Sequence, residues 1–355
     1  MPQFHTLTVS DVRRETSDCV SVAFTIPADL TEEFTFKAGQ YITLRATIDG
    51  EDIRRSYSLC AAPFEKEWRV AIKKVEDGRF STYANDHLKV GDTLQVMAPM
   101  GGFVGGHEAV QHIVCFAAGS GITPIASITK EVLEKYPTAL VTMFYGNKNG
   151  NSIIFREELE GLKNINLTRL RIYHVLSRED LGTPMFFGRL DGEKCAAFAK
   201  TLFDPTSVDA FYLCGPEPMI RSVSETLEAS GAPKEKINFE LFGAPKPTMS
   251  KPQIVRATKR QADLSKVAIT YDDKTVVIDM LDDGNHMLEA ALSYGLELPY
   301  ACQGGVCSTC KCKVTKGEVL MDVNYALEPD EVEAGFVLSC QARPVSADVA
   351  VTFDV

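Results

Sequence analysis

The sequence contains no run of about 18 or more apolar residues, the length that a membrane-spanning helix needs, so we expect no transmembrane segment. Its first residues lack the basic and then apolar stretch of a secretory signal, so we expect a cytoplasmic protein. In that reducing compartment the ten cysteines are not expected to form a disulfide framework.

Several catalytic motifs are also missing. The chain has no G-x-S-x-G, H-E-x-x-H or P-loop pattern, and its six histidines show no metal-ligand spacing. No E-x-x-H iron site is apparent, which argues against a monooxygenase fused into the same chain. The only tryptophan, Trp68, is interpreted as a packing residue.

Basic stripes are absent, and acidic residues are concentrated near the carboxyl end. The net charge is −11, from 37 Lys and Arg against 48 Asp and Glu. Residues 267–355 hold 5 Lys and Arg against 15 Asp and Glu, a net charge of −10. This distribution argues against nucleic-acid binding. It favours either an acidic module that meets a basic patch on a partner or a merely solvated surface.

The 355 residues suffice for two or three domains. Residues 1–108 alternate apolar and polar residues in short runs, with one helix expected near residues 81–88, which predicts an antiparallel β-barrel. In residues 109–242, apolar strands alternate with helical stretches. This second pattern predicts a doubly wound parallel α/β sheet with ligands at the carboxyl ends of its strands.

A linker is predicted at residues 243–265, because residues 243–266 contain three prolines, six Lys or Arg and no apolar periodicity. The third domain, residues 266–355, opens with the hairpin pattern "VAITYDDKTVVIDM" and the short helical pattern "HMLEAALSYG".

Four cysteines lie in the thirteen residues "YACQGGVCSTCKC". Cys302, Cys307 and Cys310 have C-x4-C-x2-C spacing, and 29 residues separate Cys310 from Cys340. This is the plant-type [2Fe–2S] spacing, and the small residues between the cysteines allow backbone N–H groups to approach the cluster sulfides. Zinc is the alternative, but zinc sites usually pair two C-x2-C units. Cys312 breaks the spacing and is predicted to be a strand residue.

The stretch "RRSYSLC" predicts a flavin site on a barrel strand. Arg55 can neutralise a pyrophosphate, the Tyr57 ring can stack on an isoalloxazine, and the Ser58 hydroxyl can reach its N5 edge. The loop "GRFST", residues 78–82, precedes a helix and can bind the same pyrophosphate. Ordinary cross-strand pairing of the arginine and tyrosine is the alternative.

Two further patterns predict a dinucleotide site. In "AAGSGITP", Gly119 and Gly121 lie between a strand and a helix, with Pro124 where the usual fingerprint has glycine. In "YLCGPEPM", Cys214 and Gly215 follow a strand, where a nicotinamide could lie. The alternatives are a plain strand-to-helix turn and a buried core cysteine.

In this order, the motifs resemble the ferredoxin–NADP reductase superfamily with a C-terminal plant-type ferredoxin domain, over essentially the whole chain. The resemblance implies an FAD-binding β-barrel, an NAD(P)-binding α/β domain and an α+β β-grasp ferredoxin domain. It implies an NAD(P)H-dependent oxidoreductase that passes electrons from NADPH through FAD and a [2Fe–2S] cluster to the di-iron oxygenase component of a multicomponent complex. That partner would dock on the acidic ferredoxin domain. Alternatives are the reductase of another oxygenase, such as a Rieske dioxygenase, and an electron carrier without turnover.

The resemblance also implies residue roles. Ser177 and Arg178 in "VLSRED" resemble the pair that takes the 2′-phosphate, so we expect NADPH rather than NADH, although Lys148 stands where relatives often have arginine. The catalytic candidates are Cys214, Ser58 and Glu240. The cofactor-binding candidates are Arg55, Tyr57, Ser58, Lys73, Gly78, Phe80, Ser81, Thr82, Gly119, Gly121, Thr123, Pro124, Ser177, Arg178, Cys214, Gly215 and Phe242. The cluster ligands are Cys302, Cys307, Cys310 and Cys340.

Overall fold

Six antiparallel strands build the N-terminal part of the protein. A computed structural model describes residues 3–105, 109–242, 264–281 and 284–355, so the predicted linker lies outside the described residues except for 264 and 265. The strands are β1 (Phe4–Thr16), β2 (Cys19–Thr25), β3 (Tyr41–Ile48), β4 (Glu51–Ser58), β5 (Trp68–Lys73) and β6 (Thr93–Met100). Their order is β4-β3-β6-β1-β2-β5, and a bridge between Leu59 and Val70 joins the two outer strands. The sheet therefore closes into the predicted barrel.

Apolar side chains from neighbouring strands fill the barrel interior. Leu7, Val20, Leu44 and Val96 are almost fully buried and belong to one apolar cluster. Helix α1 (Arg79–Asp86) adds the buried Phe80 to this cluster. The Trp68 indole N–H donates to the Phe34 carbonyl oxygen at 2.7 Å, so this tryptophan packs in the barrel as predicted.

Five parallel strands form the second sheet. They are β7 (His112–Ala118), β8 (Leu140–Asn147), β9 (Leu170–Leu176), β10 (Ala210–Cys214) and β11 (Ile237–Glu240). Their order is β11-β10-β7-β8-β9, and every neighbouring pair is parallel. The connecting helices are α2 (Ile122–Lys135), α3 (Arg156–Ile165), α4 (Gly192–Ala199) and α5 (Glu217–Ala229). This confirms the doubly wound α/β prediction, and the barrel and the α/β sheet lie in one compact unit, Phe4–Phe242.

The C-terminal residues form a separate compact unit. Its strands are β12 (Leu264–Tyr271), β13 (Lys274–Leu281), β14 (Lys311–Lys316), β15 (Val319–Met321), β16 (Phe336–Leu338), β17 (Ala342–Pro344) and β18 (Asp348–Thr352). Its helices are α6 (Met287–Ser293) and α7 (Pro329–Glu333). The main sheet has the order β13-β12-β18-β14-β16, while β15 and β17 pair apart from it. The predicted hairpin is β12–β13, the predicted short helix is α6, and Cys312 lies in β14 as predicted.

Across the described ranges, no helix combines the length and the apolar character that crossing a membrane requires.

Candidate functional site

Three strand ends bring the predicted catalytic residues together. Strand β4 ends at Ser58, and in the parallel pairing of β10 with β11 Cys214 lies opposite Glu240. The Ser58 hydroxyl donates to Glu240 Oε2 at 3.0 Å, which joins the barrel to the parallel sheet. The Cys214 side chain is fully buried at this junction. A hydroxyl, a thiol and a carboxyl group therefore meet where the two cofactor domains touch.

Burial controls the protonation of this junction. Removal from water raises the pKa of Glu240 to about 8, and the hydrogen bond from Ser58 opposes this rise only partly. Although some of the Glu240 side chain reaches the surface, its carboxyl group is surrounded by protein. Burial, and then the charge of Glu240, raise the pKa of Cys214 well above the usual range of a thiol. Near neutral pH the site therefore offers an uncharged thiol and a carboxyl group that can hold a proton.

The flavin candidates lie beside α1. The rings of Tyr57 and Phe80 have centroids 5.7 Å apart, and Gly78 precedes the first residue of the helix. Ser81 Oγ donates to the Gly78 carbonyl oxygen at 3.1 Å and accepts from the Val75 amide at 3.2 Å, which fixes the loop. Because the first N–H groups of a helix have no partner within it, the amides of residues 79–81 can face an anion.

Thr82 and Arg55, both predicted to bind the flavin pyrophosphate, already make hydrogen bonds within the protein. The Thr82 amide already donates to the Gly78 carbonyl oxygen at 2.9 Å, so Thr82 can offer a ligand only its side chain. Arg55 is exposed, and its guanidinium donates to the Arg54 carbonyl oxygen at 2.7 Å. It remains accessible to a pyrophosphate from solvent.

The dinucleotide turn needs its glycines for backbone geometry and for packing. Gly119 has φ +55°, a left-handed conformation that favours glycine. A Cβ on Gly121 would lie 2.1 Å from the Cys214 carbonyl oxygen, so a larger residue cannot fit there. The Thr123 hydroxyl donates to the Ser120 carbonyl oxygen at 3.0 Å. Pro124 lies in the first turn of α2, where its missing N–H group costs no helical hydrogen bond.

Neighbours of this turn include one residue that the sequence predictions used and one that they missed. The Lys73 ammonium lies 3.9 Å from the position that a Cβ on Gly119 would take, which supports its place among the cofactor candidates. The Tyr145 hydroxyl donates to the Gly119 carbonyl oxygen at 3.0 Å. Tyr145 lies in "MFYGN", a strand end, and that position at the ligand-binding edge was the signal that could have identified it.

Ser177 and Arg178 lie at the far end of the same sheet edge. Strand β9 is three positions from β10, which at ~4.8 Å per strand is roughly 14 Å. The Arg178 amide donates to the Lys148 carbonyl oxygen at 2.8 Å, and the side chains of Arg178 and Lys148 are exposed. Two cations therefore lie at adjacent strand ends, away from Cys214. A dinucleotide stretched along this edge can reach both ends.

The cysteine loop gathers four sulfur atoms. The Cys307 thiol donates to Cys302 Sγ at 3.1 Å, and Cys340 Sγ is within hydrogen-bonding reach of both Cys302 and Cys310. The hydrogen bonds that Cys302 accepts from Cys307 and Cys340 hold its pKa below the usual range of a thiol. Gly305 has φ +74°, which lets the loop turn tightly around the sulfurs.

Further contacts brace this loop. The Gly304 amide donates to Cys302 Sγ at 3.3 Å, and the Gln341 side chain donates to the Gln303 carbonyl oxygen at 3.1 Å. Among the described residues, no group of three or more His, Cys, Asp or Glu side chains is arranged around a single metal-ion position. The spacing of the four cysteines along the chain is that of a plant-type two-iron cluster.

The described residues do not show Phe242 in contact with the other flavin candidates. Phe242 is 44% exposed and follows the buried Leu241, at the end of the described unit. No described contact ties its ring to the Ser58–Glu240 junction.

Comparisons with known proteins agree with this arrangement. Residues 6–104 match the family described as "Oxidoreductase FAD-binding domain", residues 116–225 match "Oxidoreductase NAD-binding domain", and residues 269–345 match "2Fe-2S iron-sulfur cluster binding domain". The chain is 42% identical to a component of the 1,2-phenylacetyl-CoA epoxidase of Escherichia coli (strain K12), over 100% of this chain and 99% of the relative. The chain belongs to the ferredoxin–NADP reductase superfamily, in the branch with a C-terminal [2Fe–2S] domain.

Other known proteins match this chain over nearly its full length at lower identity. The reductase is 33% identical to the "3-ketosteroid-9-alpha-monooxygenase, ferredoxin reductase component" of Rhodococcus rhodochrous, over 98% of this chain and 96% of the relative. The crystal structure of phthalate dioxygenase reductase superposes with a TM-score of 0.57 at 22% identity, covering 99% of this chain and 98% of the other, which confirms the fold.

The family places three cofactors on this chain, namely FAD, NAD(P)H and a [2Fe–2S] cluster. The protein is therefore an oxidoreductase that passes electrons from NAD(P)H through FAD to the [2Fe–2S] cluster and on to an oxygenase component. The sequence predictions of fold class, enzyme class and cofactors are confirmed at this level.

Proposed function

We propose that this protein is the NADPH-dependent reductase of a cytoplasmic multicomponent oxygenase that epoxidises phenylacetyl-CoA, and that its acceptor is the di-iron oxygenase component. The observation that carries the proposal is the 42% identity to a 1,2-phenylacetyl-CoA epoxidase component over the full length of both chains. The domain order and the three sites described above supply the parts that such a reductase needs.

The junction of Ser58, Cys214 and Glu240 is proposed as the site of hydride transfer. When bound, FAD accepts a hydride from the nicotinamide and passes the two electrons on singly. Ser58 would face the flavin N5 edge, and Cys214 would pack against the nicotinamide. Since the pKa of Glu240 is about 8, its carboxyl group can hold a proton and exchange it with the Ser58 hydroxyl, to which it is hydrogen-bonded at 3.0 Å.

The remaining candidates are proposed to orient the two nucleotides. For the flavin, Tyr57 would contact the isoalloxazine, while Arg55 and the amides at the start of α1 would bind the pyrophosphate. For the nicotinamide dinucleotide, the turn at Gly119 and Gly121 would approach the phosphates. Gly78, Phe80, Ser81, Thr82, Lys73, Thr123, Pro124, Gly215 and Phe242 would line the same two sites.

NADPH is proposed as the donor because the far end of the sheet edge is cationic. Arg178 and Lys148 are exposed at adjacent strand ends, and Ser177 lies beside them with its hydroxyl donating to the Asn147 carbonyl oxygen at 3.3 Å. A guanidinium gains a charge-assisted bond from a phosphate that a ribose hydroxyl cannot supply.

Cys302, Cys307, Cys310 and Cys340 are proposed as the cluster ligands. Their sulfurs already converge, and their surroundings supply backbone amides such as that of Gly304. Cys312 is left out of the proposed set because it breaks the C-x4-C-x2-C spacing and lies in strand β14.

The acceptor is proposed to dock on the acidic C-terminal domain through a basic face. Its exposed acidic side chains include Glu289, Glu297, Glu328, Asp330 and Glu333. Glu289 also lines a surface pocket beside Cys340, so negative charge lies close to one proposed ligand. Complementary charge of this kind accelerates association more than it tightens binding.

The test measures NADPH oxidation by the purified reductase mixed with the oxygenase component of a phenylacetyl-CoA epoxidase and O₂. Substrate-dependent oxidation that yields a modified CoA ester, with a rate that falls as salt screens the acidic face, is the expected result. Rapid reduction of ferricyanide without reduction of that oxygenase would remove the named partner and leave a reductase of another oxygenase. A rate independent of ionic strength would contradict the docking face.

A further inference from the structure

Helix α2 carries a buried lysine that is bonded to both cofactor domains. The Lys130 side chain is only 9% exposed. Its ammonium group donates to the Cys60 carbonyl oxygen at 3.2 Å and to Glu65 Oε2 at 3.1 Å, and it also pairs with the carboxylate of Glu158. A buried ammonium is costly unless it is paired, so these partners define a specific position for the helix.

The partners of Lys130 belong to different domains. Cys60 and Glu65 lie in the barrel segment that follows β4, whereas Glu158 lies in α3 of the α/β domain. A second bond crosses the same boundary, since the buried Ser127 hydroxyl donates to the Ala61 carbonyl oxygen at 2.6 Å. Ser127 and Lys130 are three residues apart and therefore share one face of the helix.

The barrel segment is itself held firmly. The Cys60 amide donates to the Arg69 carbonyl oxygen at 2.9 Å, which ties it to β5, and the Ala62 amide donates to Glu65 Oε2 at 2.6 Å. The segment begins directly after Ser58, the barrel residue of the hydride-transfer junction. A movement of the helix at Lys130 would therefore displace the segment next to Ser58, on the flavin side of the junction.

The other end of α2 contacts the nicotinamide side. Gly121, just before the helix, packs so closely on Cys214 that a Cβ would lie 2.1 Å from its carbonyl oxygen. Lys130 lies nine positions after Gly121, which at about 1.5 Å per helical residue corresponds to roughly 13 Å. One rigid helix thus connects the Cys214 loop to the segment that follows Ser58.

We propose that Lys130 is a positioning residue that fixes the separation between the barrel and the α/β domain, and so the distance over which hydride passes from nicotinamide to flavin. The inference rests on the proposed role of the Ser58–Cys214–Glu240 junction. In the step concerned, the hydride leaves nicotinamide C4 with both electrons of the C–H bond and joins flavin N5, and no other reactant is needed. Lys130 touches neither reacting atom and acts through the placement of α2.

The experiment compares Glu65→Ala with Glu158→Ala. Each removes one carboxylate from the same ammonium, but only Glu65 belongs to the barrel. Since Glu65 also accepts the Ala62 amide, the Lys130 variants decide whether any slowing comes from the lysine. Flavin bleaching by saturating NADPH is followed anaerobically by stopped flow, with NADPH and with NADPH deuterated at the transferred position. Glu65→Ala is expected to slow hydride transfer about tenfold or more, with a full isotope effect and unchanged FAD content. Glu158→Ala is expected to stay within about twofold of the native rate.

Lys130→Met and Lys130→Arg extend the test. The methionine variant should slow the hydride step like Glu65→Ala, and arginine should restore most of the rate. Equal slowing by Glu65→Ala and Glu158→Ala would overturn the proposal, because charge compensation alone would explain it. Lower melting temperatures with unchanged hydride-transfer rates would overturn it too, since Lys130 would then only stabilise the fold.

A second readout needs no nicotinamide nucleotide. Hydrogen–deuterium exchange of residues 122–135 in the FAD-loaded protein should accelerate in Glu65→Ala and remain at the native level in Glu158→Ala. Indistinguishable exchange in the two variants would refute the positioning role. If NADPH fails to bleach the native flavin, the proposed function fails, while the exchange measurement still decides whether Lys130 joins the two domains.

Discussion

The Ser58 hydroxyl donates a hydrogen bond of 3.0 Å to Glu240, a residue 182 positions away in the sequence. The bond joins the end of a barrel strand to the end of a strand in the parallel sheet. The junction therefore forms only when both domains are folded and correctly apposed, and its chemistry depends on their packing.

Replacing Glu240 by glutamine should change how stability depends on pH. The folded pKa is about 8 and the ordinary value is 4.5, so the folded state binds more protons than the unfolded state between these values. The stability that this group contributes is fully present below pH 4.5 and is lost as the pH rises to about 8. Melting temperatures of FAD-free native protein and Glu240→Gln should therefore diverge in favour of the variant as the pH rises. Melting temperatures that change in parallel with pH in the two proteins would contradict the raised pKa of Glu240.

Replacing Arg178 by alanine should reduce the preference for NADPH over NADH. A charge-assisted hydrogen bond is worth about 1.5–3 kcal/mol, which corresponds to roughly a 10- to 100-fold loss in kcat/KM with NADPH and little change with NADH. Arg171→Ala is the matched control, because this exposed arginine lies near the amino end of the same strand. A donor ratio that is the same in both variants would exclude Arg178 from 2′-phosphate binding.

Cys307→Ser should prevent stable incorporation of the cluster, whereas Cys312→Ala should retain it. Cys312 is fully buried in the core of the C-terminal unit, so its loss should lower the melting temperature without removing a ligand. Cluster content is compared by visible absorption and by electron paramagnetic resonance of the dithionite-reduced proteins. Loss of the cluster signal from a folded Cys312→Ala protein would mean that the ligand set is wrong.

Gly121→Ala should impair both stability and reduction of the flavin by NADPH. The added methyl group would lie 2.1 Å from the Cys214 carbonyl oxygen, and such overpacking typically costs about 1–3 kcal/mol. Gly161→Ala serves as the control, because a Cβ at this position in α3 meets no atom within 4 Å. It should be neutral or slightly stabilising. Melting temperatures and stopped-flow rates of flavin bleaching should be lower for Gly121→Ala than for Gly161→Ala. Equal values for the two variants would refute the predicted clash with the Cys214 carbonyl oxygen.

The sequence was most informative where function depends on local spacing. The spacing of Cys302, Cys307 and Cys310 in one loop was sufficient to predict a cluster, and the glycines after β7 were sufficient to predict a nucleotide turn. The alternation of apolar residues likewise predicted the barrel and the parallel sheet. In each case the pattern on which the prediction rests is local along the chain.

Contacts between distant segments could not be read from spacing. The bonds of Lys130 to Cys60 and Glu65 span 70 and 65 positions, and no pattern around "SITKEVL" distinguishes this lysine from a solvated one. The sequence also did not predict the hydrogen bond from the Thr82 amide to the Gly78 carbonyl oxygen, because this bond depends on where α1 begins. Glu240 was found only through resemblance to a family, since a lone glutamate at a strand end carries no signal of its own.

Strand β18 lies in the middle of the C-terminal sheet, where it pairs in parallel with β12 and antiparallel with β14. During synthesis this sheet cannot close until residue 352 has left the ribosome, although the residues of the cysteine loop emerge earlier. The two nucleotide-binding domains, complete by residue 242, can fold first. The sheet that surrounds the cysteine loop is therefore the last sheet of the described residues that can close as the chain is made.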